Sequence, residues 1–555
     1  MKKLLSSFIF IFCIFSGFAQ NKLPFSKGIN MLTWFETWTN SIPPLNKYDE
    51  SDFAVLKKMG VDVIRLPVHF DLVMEPVHTG KIMDIVLEKL DKVCDWAEKY
   101  QIYLVIDNHS FNSELEDNNP PSAKLQKEHL KAVWSQVAPR YKNRSKYIIY
   151  EIINEPKGRG EVTSEKWIKL QAEIIDLIRS YDPQRDIVVS GADFSSIDTL
   201  VRMKPYKDPN LIYTFHFYEP HEFTHQGATW VGPHMIDLED IPFPYDRKRM
   251  PKLKGRAKDS YLPDYFREVY PAKGTVKYIN DRIKKAADWA KKNNVRIWCG
   301  ECGAKVWINA EDRLAWIKAT VQTLNNYDIP YCTWGIDGSD GFLKTADNLS
   351  SFPDDIDQAA LEAYGFSMPG KIIPDDFSFP KKPYLVYDGL CGKGTGIDTW
   401  GNTVSIYDGD VHKYCIKVSY PNRQNGCKFF LPKKVFDKAA EYKNSVYVSF
   451  SVKFTDSKQR FTLSLQDSDG AEELPPWKKS YRIKAEGYPV NKWITVTVPF
   501  SKLQEDYTWS DKAKKAFEPQ GKFDWNRLSS VYFDFDDFEN QNQGEIFIDN
   551  VVIKQ

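Results

Sequence analysis

The chain has 555 residues, of which 27% are charged, and its 75 Lys and Arg balance its 75 Asp and Glu. A chain of this length is expected to form at least two domains. It lacks the excess of basic residues on which nucleic-acid and polybasic membrane-surface binding depend, so we expect no nucleic-acid partner. The aromatic content is high at 14%, and aromatic rings both fill cores and stack on flat ligands.

The first 20 residues are typical of a secretory signal peptide. Lys2 and Lys3 precede an apolar run from Leu4 to Phe18, and the small residue Ala19 follows. The run is short for a membrane span, and an uncleaved anchor is the alternative. We therefore predict signal peptide 1–20, a secreted or extracytoplasmic protein and no membrane span.

Between residues 26 and 366, short β-branched or aromatic runs alternate with stretches of helical periodicity. The predicted strands are Ser26–Leu32, Val61–Val68, Ile102–Asn108, Tyr147–Asn154, Asp186–Gly191, Leu211–Tyr218, Val295–Gly300 and Ile329–Gly335. The predicted helices are Asp49–Met59, Ile82–Tyr100, Leu125–Tyr141, Ser164–Tyr181, Val276–Asn293 and Ala310–Tyr327, with a weaker one near Gln358–Tyr364. This alternation predicts an α/β fold, a (β/α)8 TIM barrel over residues 21–368. An open doubly wound sheet is the alternative, although no Gly-rich loop follows the first strand.

A long insertion follows the sixth predicted strand, at about residues 221–273, and is rich in Pro, His and charged residues. Insertions of this length are usually functional. Because this one follows the carboxyl end of a strand, it belongs to the face on which barrels carry their active sites.

The pattern of apolar and polar residues changes after residue 368. Four prolines mark a predicted linker over residues 369–384, and short alternating runs then predict an all-β sandwich over residues 385–555. Its last strand, Ile546–Ile553, resembles those of carbohydrate-binding modules. Trp477 and Trp509 could stack on sugar or fill the core, and a purely structural sandwich is the alternative.

Eight cysteines, one of them in the signal peptide, leave seven in the mature chain, and an odd number spread so widely is not a disulfide framework. Cys299 and Cys302 lie on one predicted strand, where positions three apart face opposite sides. We therefore expect buried packing there and not a shared metal or redox site.

Two glutamates end predicted strands on the same face. Glu155 follows the fourth strand and Glu301 follows the seventh, so both can project into one central bowl. Two carboxyl groups about 5 Å apart are the requirement of retaining glycoside hydrolysis. Glu151 should lie deeper in the barrel as a structural group, whereas Asp107, Glu219 and Asp337 should lie near the rim.

The motifs around these glutamates resemble glycoside hydrolase family 5, the cellulase family. The matching positions are Arg65 in Ile-Arg-Leu-Pro-Val, His109 in Asp-Asn-His, Asn154 and Glu155 in Asn-Glu-Pro, His216 and Tyr218 in Phe-His-Phe-Tyr, Glu301 in Gly-Glu-Cys-Gly, and Trp334 in Thr-Trp-Gly. One departure is Cys302, where many members carry an aromatic residue, and we expect it to change packing only.

The resemblance implies a role for each catalytic carboxyl group. Glu155 would be the general acid and base, with a pKa raised by the negative charge of Glu301. Glu301 would be the nucleophile, which Arg65 and Tyr218 would keep ionised and aimed. Neither a metal nor an organic cofactor is implied.

The resemblance also implies substrate contacts. Asn154 would bind the sugar 2-hydroxyl group, and Trp334 would form the platform under the sugar at the cleavage point. His109 and His216 would contact the substrate or hold the catalytic carboxyl groups.

Further aromatic residues near strand ends suggest a cleft for a chain of sugars, with core burial as the alternative. They are Trp34, Phe35 and Trp38 after the first strand, Trp230 in the insertion and Trp307 after the seventh strand. A β-1,4-glucan polysaccharide or oligosaccharide is the expected partner of a monomeric enzyme, an endo-β-1,4-glucanase. β-Mannan, xyloglucan and mixed-linkage β-glucan are alternatives on the same barrel.

Two other classes of function remain open. His221-Glu222-Phe223-Thr224-His225 matches the H-E-x-x-H pattern of zinc peptidases, but Pro220 precedes it and no helical periodicity spans it. A non-catalytic glycan-binding protein on the same fold is the second, and the intact carboxylate pair argues against it.

Overall fold

The computed structural model describes residues 22–37, 43–111, 121–158, 160–345, 352–370, 379, 382–408, 414–419, 425–470, 474–510, 513–535 and 543–555. The predicted signal peptide and Trp38 lie outside these residues, as does much of the predicted linker. Within them, the longest apolar helices fall short of what a membrane crossing would require.

Eight parallel strands close into a barrel, which confirms the predicted (β/α)8 fold. They are β1 (Lys27–Asn30), β2 (Val63–Val68), β3 (Tyr103–Asn108), β4 (Ile148–Glu151), β5 (Ile187–Ser190), β6 (Leu211–Phe217), β7 (Arg296–Cys302) and β8 (Tyr331–Thr333). Each strand pairs with its neighbours in chain order, and β1 closes the ring on β8. Phe25, Val63, Val105, Trp298 and Cys332 belong to the cluster that fills the amino-terminal end of the interior.

Helices surround the barrel close to the predicted positions. They are α1 (Glu50–Met59), α2 (Asp84–Tyr100), α3 (Ala123–Tyr141), α4 (Ser164–Tyr181), α5 (Ile197–Leu200), α6 (Val276–Asn293), α7 (Ala310–Asn326) and α8 (Gln358–Ala363). Local chemistry fixes several of their ends: Asp49 and Asp52 form a capping box on α1, and Gly60 ends it at φ 89°. A larger core packs the helices against the strands.

The insertion after β6 folds into short helical turns instead of an extended loop. The turns are His221–Thr224, Pro233–Ile236, Gly255–Lys258, Leu262–Asp264, Tyr265–Val269 and Tyr270–Lys273. Phe223, Phe243 and Tyr270 are buried among them and belong to the barrel's core, so the insertion is packed onto the barrel.

The carboxyl-terminal region consists of antiparallel strands, as predicted. They are β9 (Tyr384–Tyr387), β10 (Gly396–Trp400), β11 (Thr403–Asp408), β12 (Tyr414–Ser419), β13 (Gly426–Phe430), β14 (Tyr447–Phe454), β15 (Arg460–Asp467), β16 (Lys478–Lys484), β17 (Trp493–Pro499), β18 (Gln504–Asp506), β19 (Thr508–Ser510), β20 (Lys515–Phe517), β21 (Leu528–Asp534) and β22 (Glu545–Lys554). One sheet has the order β11-β12-β22-β14-β17, with β9 also on β22, and the other has the order β10-β13-β21-β15-β16-β18. A separate apolar core lies between them.

Candidate active site

The two glutamates at the strand ends meet across the mouth of the barrel. One carboxylate oxygen from Glu155, one from Glu301 and one ring nitrogen of His216 all lie within 4.8 Å of one another. Glu155 has a φ of 38°, an uncommon backbone conformation for a residue other than glycine and one that tends to occur at functional sites. The same three groups could also hold a divalent cation.

A bulge in β7 aims Glu301 into the bowl. His216 pairs with Glu301 and the preceding Phe215 pairs with Cys299, so Gly300 is the extra residue. A Cβ at Gly300 would lie 2.8 Å from the hydroxyl oxygen of Thr214, which explains why glycine occupies the bulge.

The bulge corrects the expectation that Cys299 and Cys302 face opposite sides of the strand, whereas the buried packing expected for them is found. Because it adds a residue between them, Cys299 and Cys302 do not face opposite sides, and both belong to the core between strands and helices. All seven cysteines of the predicted mature chain are described as buried free thiols.

Three side chains hold the carboxylate of Glu301. Arg65 donates through Nη1 to Oε1 at 2.7 Å, and the Tyr218 hydroxyl group donates to Oε2 at 2.9 Å. The Nδ1 atom of His216 lies 3.3 Å from Oε2. The two donated hydrogen bonds, from Arg65 and Tyr218, favour the ionised form of the carboxyl group.

Arg65 lies at the centre of a buried network. Its guanidinium group donates to both oxygens of Glu151 at 2.7 and 2.9 Å and to Asn154 Oδ1 at 2.9 Å. It also pairs with Asp107 at 3.0 Å. Since Arg65 is fully buried, it positions other side chains and does not itself reach a substrate in the cleft. Glu151, predicted to lie deeper in the barrel, shares this guanidinium group with Glu301.

Burial raises the pKa of both catalytic candidates. Burial raises the pKa of Glu155 to about 8, with the Arg65 charge opposing it and Asp107 and Glu151 adding to it. Burial also raises the pKa of Glu301 to about 7, against the lowering effects of His216, Arg65 and Tyr218. Burial, and not the charge of Glu301, is therefore the main cause of the high pKa of Glu155, which corrects the predicted cause.

His216 connects the two carboxyl groups. Its Nδ1 atom lies 2.6 Å from Glu155 Oε1, and burial lowers the pKa of its ring to about 4. The ring is therefore neutral near pH 7. A neutral Nδ1 can accept the proton of the Glu155 acid or, in the other tautomer, donate to its carboxylate, so the contact suits both protonation states of Glu155.

Asn154 is fixed from two sides. Besides its bond to Arg65, its Nδ2 atom lies 3.2 Å from His109 Nε2, and His109 Nδ1 lies 2.5 Å from Asp107. His109 is completely buried and orients Asn154, whereas the resemblance implied contact with the substrate or with the catalytic carboxyl groups. The partly exposed ring of Trp334 stacks on His109 at 5.6 Å and can present its other face to the cleft.

Trp34 does not line the cleft, and its prediction as a substrate-binding residue is wrong. It is 1% exposed and lies parallel to Trp96 of α2 at a ring distance of 6.4 Å. Phe35 is equally buried. The chain turns inward directly after β1, and both rings join the core.

Trp230 and Trp307 form an exposed aromatic corner between the insertion and the loop after β7. Each is 46% exposed, and their rings meet nearly at right angles at 6.4 Å. The Trp307 indole donates to Gln226 O at 2.7 Å, and Lys305 lies over the Trp230 ring at 4.6 Å. Trp230 belongs to the insertion, and Trp307 belongs to the loop after β7.

Sequence reasoning missed or misplaced several polar groups. Asn30 donates to Gly300 O at 3.1 Å and so supports the bulge. Buried Glu36 accepts from Thr33 N at 2.6 Å, and burial raises its pKa to about 7; no motif marks either residue. Glu219, predicted near the rim, instead pairs with Arg282 of α6 at 2.7 Å.

The H-E-x-x-H segment forms a single helical turn, His221–Thr224. The rings of His221 and His225 stack on each other at 4.1 Å. Among the described residues, the one cluster of three or more potential metal ligands is the Glu155, His216 and Glu301 group. In the part of the chain that the structure describes, no residue joins His221 and His225 as the third ligand that a zinc peptidase requires.

Fold and site together define a (β/α)8 barrel with a carboxylate pair at the carboxyl ends of β4 and β7. A family model described as "Cellulase (glycosyl hydrolase family 5)" matches residues 20–340. The chain belongs to this family.

Similar curated proteins include endoglucanases. Endoglucanase 3 of Fibrobacter succinogenes is 30% identical over 334 residues, which is 57% of this chain and 50% of that protein. Endoglucanase C of Acetivibrio thermocellus is 26% identical over 325 residues, which is 56% of this chain and 90% of that protein. The chain thus spans half the length of the first relative.

Solved structures share the barrel. Endoglucanase Cel5A of Thermotoga maritima is 25% identical, with a TM-score of 0.50 over 61% of this chain and 96% of that one. The cellulose synthase subunit Z of Clostridioides difficile gives the same identity and TM-score over 61% and 99%.

Proposed function

We propose that the protein is a retaining endo-β-1,4-glucanase in which Glu155 is the acid and base and Glu301 is the nucleophile. The observation that carries this proposal is the approach of the two carboxyl groups within 4.8 Å, since retaining enzymes keep them about 5 to 5.5 Å apart and inverting enzymes hold them farther apart. The endoglucanase names of the relatives support the substrate class.

In the first step, a carboxylate oxygen of Glu301 attacks the anomeric carbon and forms a glycosyl ester. Glu155 gives its proton to the glycosidic oxygen, and the leaving chain departs as an alcohol. The contacts allow this division, because Arg65 and Tyr218 donate hydrogen bonds to the carboxylate of Glu301, whereas burial raises the pKa of Glu155 to about 8 and favours its acid form.

In the second step, Glu155 is ionised and removes a proton from a water molecule, whose oxygen attacks the same anomeric carbon. The ester breaks, the sugar is released with its original anomeric configuration, and both carboxyl groups return to their starting states. Asn154, held by Arg65 and His109, is placed to bind the 2-hydroxyl group during both steps.

The exposed aromatic rings provide contacts for several sugar units along the cleft. Trp334 supplies the platform beside the catalytic pair, and Trp230 with Trp307 supplies a second contact that a longer chain would reach. An apolar ring face matches the apolar face of a β-linked glucose unit.

The test is the release of reducing ends from carboxymethyl-cellulose, barley β-glucan, xyloglucan and β-mannan by the full chain. We expect the fastest release from a β-1,4-glucan and none from the Glu301→Gln variant. The matched control is Glu222→Gln, which changes a glutamate in the insertion to the same amide. Fastest release from mannan or xyloglucan would replace the glucan assignment, and no release from any of them would contradict the proposal.

Export of the enzyme is part of the same proposal. A polymeric substrate outside the cell requires it, and the run Leu4–Phe18 behind two lysines supports it. Amino-terminal sequencing of the protein recovered from its native source should begin near residue 21. A protein that begins at Met1 and stays in the cytoplasm would contradict export.

A further inference from the structure

We infer that the sandwich carries a second glycan-binding site on the outer face of its β10-β13-β21-β15-β16-β18 sheet. The inference rests on the proposed function for the identity of the glycan, a β-1,4-glucan chain. It names a surface that is separate from the catalytic cleft, and we call it the outer face below.

The strand register defines the outer face. Alternate residues of these strands point inward and form the core, among them Phe429, Leu463, Val531 and Phe533. The residues between them form three rows across the sheet. The first row is Trp400, Gly426, Asp534, Thr462 and Arg482, and the middle row is Asp398, Lys428, Tyr532, Ser464 and Ser480. The third row is Gly396, Phe430, Ser530, Gln466 and Lys478. Trp400, Asp398, Lys428 and Tyr532 are partly exposed and Arg482 is exposed, whereas Ser464, Ser530 and Gln466 are buried.

Trp400 lies flat on the sheet because its neighbour is a glycine. A Cβ at Gly426 would lie 2.2 Å from the indole ring of Trp400, so only glycine allows the ring to rest on the adjacent strand. The ring remains partly exposed. An indole ring that rests on the backbone of the neighbouring strand and stays partly exposed to solvent can stack on the apolar face of a sugar.

A second ring stands beside this platform. Tyr532 lies 6.3 Å from Trp400 at an angle of 63°, and its hydroxyl group donates to Gln466 Oε1 at 2.6 Å. Lys428 lies 4.8 Å from the centre of the Tyr532 ring and donates to the same amide oxygen at 3.3 Å. These contacts hold the ring rigidly before any ligand arrives, which lowers the entropy cost of binding.

The rest of the outer face has hydroxyl groups and balanced charge. Ser464 and Ser480 exchange a hydrogen bond at 2.7 Å. Within the rows, Asp398 faces Lys428 and Asp534 is two strands from Arg482. Balanced charge disfavours a phosphate polymer, whereas partly exposed rings beside charges of both signs suit a neutral sugar chain.

The two tryptophans singled out from the sequence lie elsewhere. Trp477 is 4% exposed and therefore belongs to the interior. Trp509 is 50% exposed, but the preceding Thr508 bonds Gln466 at 3.0 Å, so Trp509 points away from the outer face. Trp509 is therefore a matched control, an exposed tryptophan of the same domain.

The test measures binding of the full chain to insoluble cellulose and to barley β-glucan in an affinity gel, with Glu301→Gln in every sample to prevent turnover. Trp400→Ala should weaken both by about tenfold, and Trp509→Ala should leave both unchanged. Ser480→Arg, which keeps both rings but places bulk across the middle row, should weaken binding as well. Thermal unfolding checks that each variant is folded.

The outcomes separate the two proposals. With Glu301 intact, Trp400→Ala should hydrolyse soluble cellohexaose at the parent rate and lose activity only on insoluble cellulose. Unchanged binding in folded Trp400→Ala and Ser480→Arg, or an equal loss in Trp509→Ala, would overturn the outer-face site. Failure of hydrolysis by the parent would overturn the proposed function and leave the binding result standing.

Discussion

The hydrogen bond from Tyr218 to Glu301 allows a quantitative test of how the nucleophile is kept ionised. Tyr218→Phe removes only the hydroxyl group, which donates to Glu301 Oε2 at 2.9 Å. The carboxylate keeps Arg65 at 2.7 Å and His216 at 3.3 Å. The substitution therefore removes one of the two hydrogen bonds that are donated to this carboxylate.

The size of the effect follows from that single bond. A hydrogen bond to a charged group is worth about 1.5 to 3 kcal/mol, and one pKa unit corresponds to about 1.4 kcal/mol. Taking the lower end, the pKa of Glu301 rises by about one unit from its value of about 7. It then equals that of Glu155, about 8.

The consequence is a shift of the acid limb of the pH profile. Catalysis needs Glu301 ionised and Glu155 protonated, so activity is lost below the first pKa and above the second. With both values near 8, the productive state falls by about twofold at its maximum and by about tenfold at pH 6.

The assay is kcat/KM between pH 4 and 10 on an aryl cellobioside. Tyr261→Phe is the matched control, because that hydroxyl group also donates to a carboxylate, Glu222, at 3.2 Å but in the insertion. An acid limb that stays in place in Tyr218→Phe would refute this account of Glu301, as would an equal shift in the control.

Three further variants test other parts of the site. Glu155→Gln should lower kcat/KM on cello-oligosaccharides by at least about 100-fold and much less on aryl glycosides with good leaving groups; equal losses would remove Glu155 from the acid role. Arg65→Met should cost about 3 to 5 kcal/mol in the free energy of unfolding, measured in urea, because it leaves the buried carboxylates that it contacts without their cation. A loss below about 1 kcal/mol would contradict the network. Trp307→Ala should raise KM for cellohexaose but not for an aryl cellobioside, and an equal rise for both would place Trp307 outside the distal part of the cleft.

Much of the architecture could be predicted because local rules determine it. Amphipathic periodicity and end signals such as Asp49 and Gly60 place α1 within one residue of its observed start. The two glutamates were found because the carboxyl ends of parallel strands share one face of a barrel. These inferences need only the order of elements along the chain.

The errors arose where the tertiary structure departs from a regular element. The bulge at Gly300 shifts every later residue of β7 by one position, and regular alternation cannot reveal it. Trp34 was assigned to the cleft because it follows a strand, but the chain turns inward there. The pKa of Glu155 depends on burial, which sequence position does not show.

The central claim is that Glu301 forms a covalent bond to the substrate. The most direct measurement is peptide mass spectrometry after the enzyme reacts with an activated 2-deoxy-2-fluoro-cellobioside, whose glycosyl-enzyme ester hydrolyses slowly. The account predicts one added glycosyl group per chain, on the peptide that contains Glu301, and none in Glu301→Gln. A label on Glu155 or Glu151, or turnover that inverts the anomeric configuration without any trapped ester, would contradict it.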